Sequence, residues 1–215
     1  VPHPSSDPFA KVRSLGGTLV VMLGLRASMR VVTYVVHKVA YPPPGQITEE
    51  QLQSMRMIDG SLLGLENLVT VVAMITFLVW IHRALAAIRQ SGGTTSWSPG
   101  WAVGGWFVPL ANMVIPWLTV RDALKGVGKP TALAGAWWLT WLLVIPLTMV
   151  QNLIRQMMIM PEVGNALREL PADTMNKIFE LSHSTFWPYF ILDTGTWALL
   201  LVIVSTVSKA GAPQR

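Results

Sequence analysis

Four ionisable side chains, Arg26, Arg30, Glu66 and Asp193, stand inside stretches otherwise apolar enough to enter a lipid bilayer. A charge at the bilayer centre costs roughly 2.5–3.5 kcal/mol even on lenient insertion scales, so such residues are expected to face one another or a wet cavity. Two positive and two negative charges balance here. At a rise of 1.5 Å per residue, Glu66 lies roughly 9 Å below the outer end of its span, with Asp193 at a similar depth, Arg30 roughly 15 Å and Arg26 roughly 20 Å below theirs. Gln151 and Asn152 bring amides to the same outer half, and Asn67 follows Glu66. One chemistry is an ion-pair clasp that fixes helix register. Another is a polar cavity open to the outside that takes an ion, a proton or an anionic headgroup, and a third is contact with a partner's charge. Arg30 can pair with Asp193 or with Glu66, and spacing alone does not choose.

Other reactive types are present without the spacing that chemistry needs. His3, His37, His82 and His183 fall in different segments, unlike a metal motif. Met55, Met57, Met157, Met158 and Met160 could offer soft thioether ligands to Cu(I), but methionine also fills irregular apolar surfaces. No cysteine, G-x-S-x-G, phosphate-cradling glycine loop or H-E-x-x-H occurs. The expectation is therefore a protein that is no enzyme, with no metal and no cofactor. Of the ten tryptophans, Trp97, Trp101, Trp117, Trp137 and Trp187 fall near span ends, where aromatic belts form.

The elements that must position the four charges follow from hydropathy. Only 13% of the 215 residues are charged and the mean hydropathy is +0.47, against about a quarter charged in a soluble domain. Apolar stretches long enough to cross a bilayer cover about residues 15–41, 61–88, 132–155 and 186–207. The expected fold class is an all-α integral membrane protein of four transmembrane helices. It forms a single domain over residues 11–209, with a flexible tail over 1–10 and a short basic tail over 210–215. Pro42, Pro43, Pro44 and Gly45 stop the first span, and Thr48 with Gln51 reads as a capping box before the second. Pro146 should kink the third span. Asp173 reads as the N-cap of a short surface helix with Met175, Ile178, Phe179 and Ser182 on one face.

Residues 98–117 are apolar and aromatic, broken by Pro109 and Pro116, and basic on both sides: Arg83 and Arg89 before, Arg121, Lys125 and Lys129 after. Basic flanks favour the cytoplasm, so this segment is expected to be re-entrant or interfacial rather than a fifth span. With both termini inside, nine Lys/Arg lie on cytoplasmic segments, opposed only by Asp7 and Asp122, while the outer segments hold five Lys/Arg and seven Asp/Glu. That orientation satisfies the positive-inside rule. It also explains the net charge of +5 through anionic lipid headgroups as partners, without nucleic acid.

Trp80, Arg83, Pro99, Gly100, Trp101, Gly104, Trp106, Pro109, Asn112, Pro116 and Arg121 form a long ordered pattern, W-x-x-R followed by S-P-G-W-A-V-G-x-W-F-V-P-x-A-N. This pattern resembles an uncharacterised family of four-helix bacterial membrane proteins, common in actinobacteria and classed as a domain of unknown function. The chain departs from it at Gly105, where the family often has a second tryptophan, and at Ile115, where a large or basic side chain is common. The resemblance implies a four-helix bundle in the bacterial inner membrane, with no established activity to carry over. The expected function is a non-catalytic accessory subunit of a larger inner-membrane complex, most of all a transporter of lipid or another hydrophobic substrate, next a respiratory complex. The alternative is a small stand-alone transporter or sensor that works through the four charges.

Overall fold

The structure is a computed structural model that describes residues 7–40, 49–159 and 172–210. The described residues are helical, without strands: α1 (Ala10–Ala40), α2 (Glu49–Gln90), α3 (Pro99–Gly104), a 3-10 turn (Ala111–Met113), α4 (Ile115–Gly126), α5 (Ala132–Ile159) and α6 (Ala172–Lys209). Four of them are long and apolar enough to cross a membrane, over Ala10–Val36, Gly60–Gln90, Ala132–Leu153 and Trp187–Lys209. The prolines after α1, and Thr48 of the capping box, lie outside the described residues.

The helices run past the apolar spans at several ends, because backbone hydrogen bonding continues where hydropathy stops. Two expectations change as a result. The flexible tail over residues 1–10 overlaps ordered chain: Phe9 is fully buried, and the Asp7 carboxylate accepts from the Phe9 N–H at 2.9 Å and from the Arg13 guanidinium. Those two bonds to its charged form hold the Asp7 carboxyl below the usual aspartate range. The separate surface helix after Asp173 is also absent as such. Its backbone is the first part of α6, which continues through Pro188 without a break; the side chains of Met175, Ile178, Phe179 and Ser182 lie outside the described residues. In α5 the helix likewise continues through Pro146.

Contacts divide the chain into two units, residues 1–136 with 198–215, and residues 137–197. In the first, α1 and α2 pack antiparallel along one seam. Val12, Leu19 and Leu23 of α1 are buried, as are Val69, Ala73, Phe77 and Trp80 of α2; steps of three and four keep each set on one face. Arg30 meets Glu66 and Arg26 meets Thr70. Equal steps back along α1 and forward along α2 bring Gly16 to Trp80, whose indole nitrogen lies 3.3 Å from a Cβ built on that glycine. In the second unit Trp138 stacks on Trp141 (4.7 Å, 12°), and Trp137 tilts against Trp138.

Beyond Trp80 the character of α2 changes. Up to Val79 one stripe is buried and Leu68, Val71, Ile75 and Val79 are exposed; from Trp80 to Ile88 most faces are buried. A helical hairpin made of α3 and α4 supplies that cover. Ser98 caps α3, accepting from the Trp101 N–H, and Pro99 occupies its first turn. Trp106 then packs on Phe77 in a T-shaped pair, centroids 5.6 Å apart. At the other end, a Cβ on Gly126 would lie 2.5–2.9 Å from the Ile88 side chain. The hairpin therefore touches α2 at two levels, Phe77 and Ile88, roughly 16 Å apart along the helix axis. Both α2 and α4 end at glycines in the left-handed region, Gly92 (φ 83°) and Gly128 (φ 70°). In each case the next N–H reaches back five residues, from Gly93 to Ile88 and from Lys129 to Leu124, which closes the helix end.

Candidate functional site

The charges of the first unit are assembled from two i, i+4 pairs on facing helices, Arg26 and Arg30 on α1 and Glu66 and Thr70 on α2. Such spacing puts both members of a pair on one face. Glu66 is the shared carboxylate. Arg30 Nη1 lies 3.2 Å from Glu66 Oε1 and donates to Oε2 at 3.5 Å; Arg26 Nη2 lies 3.9 Å from Oε1. The Arg26 Nε–H donates to the Thr70 hydroxyl at 3.1 Å, and that hydroxyl donates to the Glu66 backbone carbonyl at 2.8 Å. Both Arg26 and Glu66 are 7% exposed. At that burial an ion pair is sustained only when hydrogen bonds satisfy the rest of each charged group.

Of the sequence-derived set, Arg26, Arg30 and Glu66 thus converge, and Asn67 does not join them: one residue on, it is exposed. Asp193, Gln151 and Asn152 belong to the second unit. Asp193 is buried there and accepts from the Trp197 indole N–H, one turn along α6, at 3.1 Å. Thr70 is the member that sequence reasoning missed. Its signal is the i, i+4 spacing from Glu66, which gives a hydroxyl on the same face.

A second polar knot lies at the root of the α3–α4 hairpin. Asp122, 4% exposed, accepts from the Ser96 N–H at 2.5 Å and the Ser96 hydroxyl at 3.2 Å. Arg121 Nη2 donates to that hydroxyl at 3.2 Å and to Asp122 Oδ1 at 3.4 Å, and its guanidinium lies 5.6 Å from the Trp117 ring centroid. Arg89 Nε donates to the Thr95 hydroxyl at 2.6 Å, tying the end of α2 to the same loop. Replacing Asp122 with alanine strips two loop groups of their acceptor. It is expected to cost about 1–3 kcal/mol and to raise protease sensitivity between residues 91 and 98 well before global unfolding. Limited proteolysis of the variant against the parent protein checks this.

The residues of the sequence pattern have structural places. Trp80 is fully buried and donates to Ser208 at 3.0 Å. Arg83 is exposed just beyond it. Pro99, Gly100, Trp101 and Gly104 form α3, Trp106 packs on Phe77, and Pro116 is buried in the first turn of α4. Pro109 is exposed, and Asn112 is half-buried with its Oδ1 buried and without a hydrogen-bond partner. The two departures from the pattern meet each other. A Cβ on Gly105 would lie 2.6–2.9 Å from the Ile115 side chain, so a bulky residue at 105 requires Ile115 to move.

No curated protein and no solved structure matches the chain. A family model described as a domain of unknown function, DUF4328, matches residues 44–170, which include the whole hairpin and all of α2. That match covers more than half of the chain: the protein belongs to the DUF4328 family.

Proposed function

We propose that this protein is a non-catalytic accessory subunit of a larger bacterial inner-membrane complex, with both termini cytoplasmic. A transporter of lipid or another hydrophobic substrate is the first candidate for its host, and a respiratory complex the next. The observation that carries the reading is the convergence of Arg26 and Arg30 on Glu66, with Thr70 bridging Arg26 to the Glu66 carbonyl. Charges paired between two helices in this way fix helix register, as a clasp does. The positive-inside distribution of Lys and Arg supports the orientation. The exposed apolar faces of α1 and α2, with Asn67 among them, leave room for neighbouring helices, since an amide at membrane depth favours association.

The test is a gentle-detergent affinity pull-down from native membranes, read by mass spectrometry against an untagged control. Stoichiometric recovery with the subunits of one complex is the expected result. Recovery alone, or as a homo-oligomer, overturns it in favour of a stand-alone transporter or sensor built on the same charges.

A further inference from the structure

We propose that the tip of the α3–α4 hairpin, residues 107–114, inserts into the membrane leaflet beside α2, and that Arg83, Arg121, Lys125 and Lys129 hold the headgroups of anionic phospholipids above it. The argument begins with length. The apolar stretch Gly60–Gln90 has 31 residues, or about 46 Å of helix, against about 30 Å of hydrocarbon core. The excess lies at one end. Ser208, one residue before the end of α6, accepts from Trp80, so α6 stops at the level of Trp80 while α2 runs ten residues further. Burial of most faces of α2 begins at that same level. Trp80 therefore marks the membrane boundary, and the hairpin root at Ile88 stands outside it.

The tip does not stand outside. Trp106 rests on Phe77, one turn inside Trp80, and the residues after it are apolar and bare: Phe107 is 74% exposed, Leu110 82% and Met113 57%, with Val108 and Val114 also exposed. Such a cluster facing water is unfavourable, and at this level lipid covers it. From the tip, α4 climbs away from the core. Trp117 comes first, then Arg121 beside its ring, then Lys125 and Lys129, both exposed. Val114 to Arg121 is about 10 Å of rise. Apolar tip, aromatic ring and cations follow the order of acyl chains, interface and headgroups in one leaflet. Between Asn67 and Pro161 the only acidic residue is Asp122, and its buried carboxylate is engaged by Ser96 and Arg121. The exposed charge of the hairpin and of the end of α2 it covers is thus positive, complementary to anionic lipid, and the exposed Asp7 ahead of α1 is paired with Arg13. None of this depends on the chain having protein partners.

The absence of cysteine allows single-site labelling of the full chain. Spin labels at Leu110→Cys and Gln90→Cys, in nanodiscs of phosphatidylcholine with phosphatidylglycerol, report collisions with oxygen and with a water-soluble nickel chelate. The expected result is a lipid-like ratio at Leu110 and a water-like ratio at Gln90. In native mass spectrometry, Lys125→Gln with Lys129→Gln should lower phosphatidylglycerol retention several-fold and leave phosphatidylcholine retention unchanged. Nickel accessibility at Leu110 equal to that at Gln90 overturns the insertion. So does a Leu110 label shielded from both reagents, which places protein rather than lipid over the tip. Unchanged phosphatidylglycerol retention overturns the headgroup site.

Discussion

Replacing Glu66 with alanine should cost the protein about 3–5 kcal/mol, because removal of one partner leaves buried charge uncompensated. Arg26 and Arg30 both rely on this carboxylate, and both sit where water is scarce. The loss should appear as a lower midpoint in a denaturing-detergent titration of the purified protein. Glu66→Gln should lose less, since an amide still accepts one hydrogen bond. The decisive variant removes the four charges of the spans together: Arg26→Met, Arg30→Met, Glu66→Met and Asp193→Asn. Buried ion pairs exchanged for apolar residues of similar volume are often neutral or stabilising, so this variant should recover most of the loss. If the protein is the accessory subunit proposed above, this variant should also co-purify with the same subunits as the parent protein. A variant that folds well but has lost transport or proton-coupled activity would sink the clasp and leave the charges as a working site.

Burial of these charges was legible because charge in an apolar stretch is a strong signal; the choice of partner was not. Glu66 receives both arginines in the first unit because α1 and α2 pack antiparallel, and no spacing within either helix states that register. Thr70 was missed for a related reason, since its i, i+4 spacing from Glu66 reads as ordinary until a guanidinium is set beside it. The four long helices were legible from length and hydropathy. The end of α2 was not. Ile81, Leu85 and Ile88 are as apolar as residues that face lipid, yet they are buried, under α3 and α4 in the same unit. Hydropathy records that a side chain avoids water without recording what replaces the water. The same blindness hid α4, where Arg121 and Asp122 read as flanking charge although Asp122 anchors a loop. Pro109 and Pro116 were better guides: helix α3 ends before the first, and α4 starts around the second, as a missing N–H requires.

Trp80→Ala is the other substitution with a large expected effect, about 3–5 kcal/mol for deleting a buried aromatic. Trp80 is fully buried, its ring lies 5.9 Å from that of Phe77, and its N–H is spent on Ser208. Room for this contact comes from Gly16, where an added Cβ would fall 1.9 Å from the Ser208 hydroxyl oxygen. Three helices therefore meet at one point through a large, a small and a hydroxylated residue. Gly16→Val should cost about 1–3 kcal/mol by overpacking, and Ser208→Gly in the same chain should return part of it. That recovery separates a steric clash from loss of helix propensity. Trp80→Phe keeps an aromatic ring in place and loses the hydrogen bond together with part of the indole volume, for about 1–3 kcal/mol. Because α2 is continuous from Glu66 past Trp80 to Ile88, loosening this point should be felt at the hairpin as well. Hydrogen exchange in α3 and α4 should rise in Trp80→Ala and stay near the parent value in Trp80→Phe. Equal exchange in both variants would mean that the hairpin is held by the Phe77 and Ile88 contacts alone, and that Trp80 closes the α1–α2–α6 junction without supporting the hairpin.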